Sequence, residues 1–236
     1  TFDGPGTKLV ELRTAPDRLP VDDRFFVVAR VRPRIQTLVV DGDPSGVAKE
    51  DEVFYFDKAA RTGLADHPVP RVVTADELPG VDLSEFDVVV LAGLVTLPSP
   101  EGARLSQFVE DGGGLLVAVG EATDAEALSA ALPALPRALR GIKMLGDVAG
   151  SSGPLGLEPP DLDHPIFEVF RGEGLGGLES TRTWGVALLE PGTGASMAVP
   201  LRYESGAPAM VTASAGRGRV AMWTSSLDRD LTDFPI

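Results

Sequence analysis

Cysteine is absent from the 236 residues, which excludes disulfides, thiolate-bound metal and a cysteine nucleophile. Histidine occurs twice, at His67 and His164, too few for a histidine-rich metal site. Bases are outnumbered: 21 Lys and Arg stand against 35 Asp and Glu, a net charge of −14. That balance argues against nucleic acid or anionic lipid as a partner and agrees with simple solubility. No apolar run is long enough to span a bilayer and no signal peptide opens the chain, so this segment is expected to make no direct membrane contact. A chain that opens on Thr1 and stops at Phe234-Pro235-Ile236 is expected to be a segment of a longer protein. Apolar residues make up 43%, ordinary for a globular protein, and the length suits one large α/β domain with a small appendage.

The stretch around which the rest is organised is FDVVVLAGLVTLPSPEGARLSQFVEDGGGLLVAVGE, Phe86 to Glu121. Asp87 to Ala92 is an apolar, β-branched run of the kind buried on both faces of a parallel sheet. Ser99-Pro100-Glu101 supplies a helix start: an N-cap, a proline in the first turn and an acid. Leu105, Phe108 and Val109 share a helix face, and Asp111-Gly112-Gly113-Gly114 stops the helix. Leu115 to Val119 is the second strand. The unit is a right-handed βαβ crossover.

Before it, Ile35 to Val40 reads as the first strand of the α/β domain, followed by the turn Asp41-Gly42-Asp43-Pro44-Ser45, a helix over Val47 to Arg61 and a strand over Val69 to Thr74. After it, Thr123-Asp124-Ala125-Glu126 reads as a capping box opening a short helix that Pro133 ends. Strands alternating with helices predict a doubly wound, mainly parallel sheet with helices on both faces. The excursion from Gly141 to Gly177 is expected to hold little regular structure. Gly185–Leu189, Ala195–Arg202, Ala209–Ala213 and Arg219–Ser225 read as closely spaced antiparallel strands extending one edge of that sheet. Residues 1–33 read separately, as a β-hairpin appendage to the main sheet or the remnant of a preceding β-sandwich. The α/β domain then occupies 34–236, with a turn-rich connector from Pro16 to Asp23 and a seam at Pro33.

Each candidate for chemistry competes with a plainer role. Asp41 and Asp43 follow the first strand, at the edge where open α/β sheets bind ligands. Asp-x-Asp there also begins the haloacid-dehalogenase signature, a Mg²⁺-dependent phosphatase reading that would enlist Thr96, Lys143 and Asp147. Pro44-Ser45 stands where Gly-Thr is usual and no second late acid follows Asp147 at the expected spacing, so a turn and a cap account better for these residues. Gly120 and Glu121 fall on the strand-to-helix elbow that carries a Cys or Ser nucleophile in glutamine amidotransferases and α/β hydrolases. Neither is such a nucleophile. His164, next to Pro165, reads as a loop-fixing hydrogen-bonding residue before a general base, and His67 carries less still. Gly216-Arg217-Gly218-Arg219 reads as a tight turn, and Asp228-Arg229-Asp230 as ion pairing or a cap. No serine lies in a G-x-S-x-G context. The candidate ligand-binding residues are therefore Asp41, Asp43, Gly120, Glu121 and His164, with no catalytic set, metal site or cofactor expected.

The runs DDRFFVVARVRPRIQTLVVDGDPS, the stretch from Phe86 to Glu121, DHPIF and GRGRVAMWTSSLDRDLTDFP occur in an order that resembles the C-terminal part of large bacterial membrane proteins of the BatA type. In that family a von Willebrand factor A domain and a β-sandwich precede a class I glutamine amidotransferase-like domain. The resemblance implies a flavodoxin-like three-layer sandwich and an extracytoplasmic domain of a membrane-anchored parent. The partners it implies are other domains of that parent and envelope proteins. Catalysis does not carry over: no Cys occupies Gly120-Glu121, and Pro165-Ile166 follows His164 where a His-x-Glu pair belongs. The expected function is a non-catalytic interaction or structural module. The alternatives are a small-molecule or ion-binding domain at the carboxyl edge and, more remotely, the phosphatase.

Overall fold

The computed structural model describes residues 4, 6–14, 24–31, 35–62, 69–136, 138–145, 153–172, 175, 177–190 and 197–234. Pro33, His67, Asp147 and the connector 16–23 lie outside the described residues. The chain divides into two units, Thr1–Ile35 and Gln36–Ile236.

The first unit is an antiparallel hairpin of β1 (Gly6–Arg13) and β2 (Arg24–Val31), with Leu9 opposite Val28 and Glu11 opposite Phe26. Leu9, Phe26 and Val28 are exposed on one face, Leu12, Phe25 and Val27 on the other. A two-stranded ribbon is marginal in water without a sheet or helix against an apolar face.

The second unit runs β3 (Thr37–Asp41), α1 (Phe54–Thr62), β4 (Arg71–Thr74), β5 (Val88–Ala92), α2 (Ser99–Glu110), β6 (Gly114–Ala118), α3 (Ala125–Ala131), β7 (Leu139–Met144), β8 (Gly185–Leu189), β9 (Met197–Arg202), β10 (Pro208–Ala215) and β11 (Gly218–Trp223). Seven strands form one sheet in the order β4-β3-β5-β6-β11-β10-β9. The first five are parallel, in the 2-1-3-4-5 order of flavodoxin-like sheets. β10 and β9 add an antiparallel edge.

The C-terminal strands depart from the expected simple extension. Only β9 and β10 extend the edge, because β11 inserts parallel to β6 and β8 leaves the sheet to pair with β7. The greater part of β7, from Gly141 on, falls inside the excursion expected to be irregular. Its pattern is weak because a half-buried ribbon alternates poorly. The first helix also starts late, at Phe54. Asp51 and Ser45 side chains take the N–H groups of Val53 and Val47 at 3.1 Å each, a local alternative to helical bonding.

Alternation divides the parallel strands between two cores. On the first face Val89, Leu91, Leu115, Val117 and Met222 pack with Leu105 and Val109 of α2 and Leu128 of α3. Gly102 lets α2 approach α3, since a Cβ there would lie 1.7 Å from the Ala131 carbonyl oxygen. Truncating Leu105, which is fully buried, costs about 2–5 kcal/mol in such a core. On the second face Val39, Val90 and Ala92 pack with Val53 and Phe56 beside α1. A separate cluster joins Ala118 and Trp223 to Leu157, Phe167, Leu178 and Tyr203. No helix among the described residues is long and apolar enough to cross a membrane.

Candidate functional site

In an open sheet of this order the crevice for ligands opens at the carboxyl ends of β3 and β5, where the chain reverses its direction of winding. Three glycines end the strands there: Gly42 after β3, Gly93 after β5 and Gly120 close after β6. Their backbones are drawn together, with Gly42 N donating to the Ala92 carbonyl at 2.8 Å and Gly93 N to that of Ala118 at 3.2 Å. Gly93 has φ +60°, and a Cβ on it would lie 2.8 Å from the carboxyl of Glu52. A Cβ on Gly120 would lie 3.0 Å from the Gly93 Cα and 3.5 Å from Glu52 Oε2. The strand ends therefore meet around one side chain, that of Glu52.

Glu52 is 2% exposed. Its Oε1 accepts the Leu227 N–H at 2.9 Å, which ties the loop before α1 to the segment after β11. That segment is held across the carboxyl edge by further bonds. Trp223 Nε1 donates to Ser226 O at 3.1 Å, Trp184 Nε1 to Asp230 O at 2.6 Å, and Ser225 Oγ to Gly185 O at 3.0 Å. Ser225, Ser226 and Asp228 are buried in consequence.

Charge is crowded here. Burial, and after it the Asp228 carboxylate, pushes Glu52 up to about 9, so the side chain is protonated at neutral pH. Asp41, 4% exposed, is pushed up to about 6 by burial and the nearby Asp51, while its Oδ1 accepts the Asp43 N–H at 3.1 Å. Asp230 is raised by burial, by Asp228 and then by Glu121 and Asp43. A protonated carboxyl among carboxylates is the arrangement in which like charges cost least. Among the described residues no three His, Asp or Glu side chains are grouped to hold a metal ion.

Of the sequence candidates, Asp41, Asp43, Gly120 and Glu121 belong to this one edge. Asp43 and Glu121 are exposed; Asp41 and Gly120 are buried. Gly120 N donates to Thr123 Oγ1 at 2.9 Å, and Asp124 rather than Thr123 caps α3, its side chain accepting the Ala127 N–H. His164 is elsewhere. On the second face its Nδ1 accepts the Ile166 N–H at 3.3 Å and its Nε2 lies 3.2 Å from Thr212 Oγ1, bonds that fix its loop. Lys143 lies in β7, outside the main sheet. Asp228 turns its own loop, accepting the Asp230 N–H at 2.9 Å.

Glu52 and Asp228, the most buried acids of the edge, were not among those candidates. The sequence pattern places Glu52 inside the helix expected over Val47 to Arg61, and its partner Leu227 is 175 positions away. Its one local signal is an acid at the first apolar positions of an amphipathic segment, Glu52-Val53-Phe54.

No protein-family model matches the chain, and no curated protein does. Solved structures do. Cytoplasmic protein STM1381 from Salmonella typhimurium LT2 is 14% identical, with a TM-score of 0.56 over 94% of this chain and 86% of that one. Cytoplasmic protein STM3548 from Salmonella typhimurium, also 14% identical, has a TM-score of 0.55 over 93% and 84%. A β-galactosidase from Rahnella sp. R3 is 18% identical, with a TM-score of 0.51 over 84% of this chain but 29% of its own. At these identities the likeness is one of fold: a mixed α/β architecture on a mostly parallel sheet.

Proposed function

We propose that the chain is a non-catalytic, class I glutamine amidotransferase-like module of a membrane-anchored bacterial envelope protein, with a structural or protein-binding role. Its partners in this reading are other domains of the parent chain and neighbouring envelope proteins. The observation that carries the non-catalytic part is the carboxyl of Glu52 lodged between Gly93 and Gly120. A nucleophile at the elbow needs a side chain at Gly120 and an open space before it. Here a Cβ would press on the Gly93 backbone, and the space is taken by a group the chain itself supplies. The hairpin supports the modular part, since apolar residues on both of its faces suit a strand pair within a larger β-layer. The envelope location rests on the sequence resemblance alone.

The alternative of small-molecule or ion binding at the carboxyl edge gains less. The carboxylates share an edge but do not converge on a point, and the crevice they would line is filled. The test is turnover of amide, ester and phosphate substrates by the purified chain, with Glu52→Gln alongside. No turnover is expected. Turnover that Glu52→Gln abolishes would make the buried acid catalytic and remove the proposal. Fractionation of source cells tests location separately: antigen confined to the cytosol would remove the envelope part while leaving the rest.

A further inference from the structure

The second face of the sheet is covered at its carboxyl half, by α1 on one side and by the Leu157–Leu178 cluster on the other. Among the described residues of this unit its amino half is not. A cavity of about 590 Å³ lies there over β5, β6, β11 and β10, within the range of about 300–1,000 Å³ typical of small-molecule sites. Its floor is apolar and mostly small: Leu116, Ala221 and Ala198, with Gly114 bringing no side chain to the next row between Val88 and Arg219. Val88 stands on one side and Ile166, 41% exposed, on the other.

The polar side chains of the cavity, His164, Thr212, Ser214 and Arg219, can each donate a hydrogen bond. His164 Nδ1 accepts the Ile166 N–H, so in the neutral ring Nε2 bears the proton and donates it to Thr212 Oγ1, 3.2 Å away. That leaves the Thr212 hydroxyl proton free for an acceptor in the cavity. Arg219 is one row further along the same face, since Thr212 pairs with Ala221 and Ser214 with Arg219. Its guanidinium has no hydrogen-bonding or ion-pair partner among the described residues, and no Asp or Glu lines the cavity. The net charge of −14 does not overrule this, because exposed charges beyond about 8 Å are screened at physiological salt.

We propose that this trough binds a single-chain amphipathic carboxylate, with the alkyl chain along Leu116 and Ala221 and the carboxylate between Arg219 and the Thr212 hydroxyl. The site is independent of the Glu52 edge and of the non-catalytic reading.

The test is calorimetric titration of the purified chain with decanoate, below the concentration at which it forms micelles, and with 1-decanol as the neutral comparator. One-to-one decanoate binding is expected, tightening by about two- to fourfold per methylene from octanoate to decanoate. Arg219→Glu, at an exposed position, is expected to weaken decanoate by on the order of tenfold and to leave decanol unchanged. Ala221→Phe is expected to block both. No decanoate binding to the parent chain overturns the proposal, as does binding indifferent to both variants. Decanol binding as tightly as decanoate overturns the carboxylate assignment. A dimer by light scattering that Ala221→Phe converts to monomer would show a second copy of the chain in the trough instead.

Discussion

The carboxyl edge of the sheet and the trough on its second face invite opposite readings. The edge has the position of a site: it lies where the winding reverses, it gathers acids, and its strand ends are glycines that let a ligand approach backbone. Yet it is packed shut, with Glu52 inside and the segment after β11 bonded over it. The trough has no privileged position, lying over the amino half of the strands, and it stays open because, among the described residues, α1 and the Leu157–Leu178 cluster cover the carboxyl half of that face. Position in a fold predicts where a crevice can form. Whether it remains a crevice depends on loops distant in sequence, here Leu227 closing on Glu52.

The largest effect that would break this contrast concerns the proton on Glu52. A folded-state value of about 9 against about 4.3 in the unfolded chain means the folded state holds an extra proton between those values. The stability associated with this protonated group is fully present at acid pH and is lost as pH rises toward 9, by about 1.4 kcal/mol per pH unit from this group alone. Glu52→Gln keeps a carbonyl acceptor for the Leu227 N–H and removes the titration. Its advantage over the parent chain, near zero at pH 4.5, should grow to about 4 kcal/mol by pH 7.5, read from urea melts across the range. Parallel curves for the two proteins would mean that the carboxyl is solvated and the edge open.

Gly93→Ala is next. It combines a left-handed backbone, costing about 1–2 kcal/mol, with a Cβ 2.8 Å from the Glu52 carboxyl, for a loss of about 3 kcal/mol in denaturant. Gly120→Ala follows at about 1–2 kcal/mol, because its Cβ meets backbone at 3.0 Å without the strain of a positive φ. A Gly120→Cys variant should lose comparable stability and gain no glutaminase turnover. If either Gly120 substitution were neutral, the elbow would have room for a side chain and the edge would be a vacant site after all.

Much of the sheet could be read in advance because its evidence is local. The apolar runs from Val88 to Ala92 and from Leu115 to Ala118, with Gly112 and Gly113 between them, carry their own strand and stop signals within a few residues. What escaped depends on distance. The parallel insertion of β11 beside β6 leaves no mark in either strand, since sheet order is set by how a long crossover returns. In sequence Glu52 is one more acid within the helix expected over Val47 to Arg61, and only the glycines at 93 and 120, with the Leu227 N–H, make it a buried core group. His164 reads in sequence as a loop-fixing residue, and its bond to Thr212 places that loop on the wall of a cavity no motif announces.

The smallest expected effect is the one that most directly separates the two regions. Ala221→Phe adds a ring on the floor of the trough, in a row flanked by Leu116 and Thr212, where the structure leaves about 590 Å³ unfilled. In a packed interior such an addition costs about 1–3 kcal/mol. Over the trough it should move the denaturation midpoint by less than about 0.5 kcal/mol in either direction, since the ring gains contact with Leu116 and Val88 while displacing only water. A loss as large as that of Gly93→Ala would show the trough to be occupied by the chain itself, and the two regions would then be built alike.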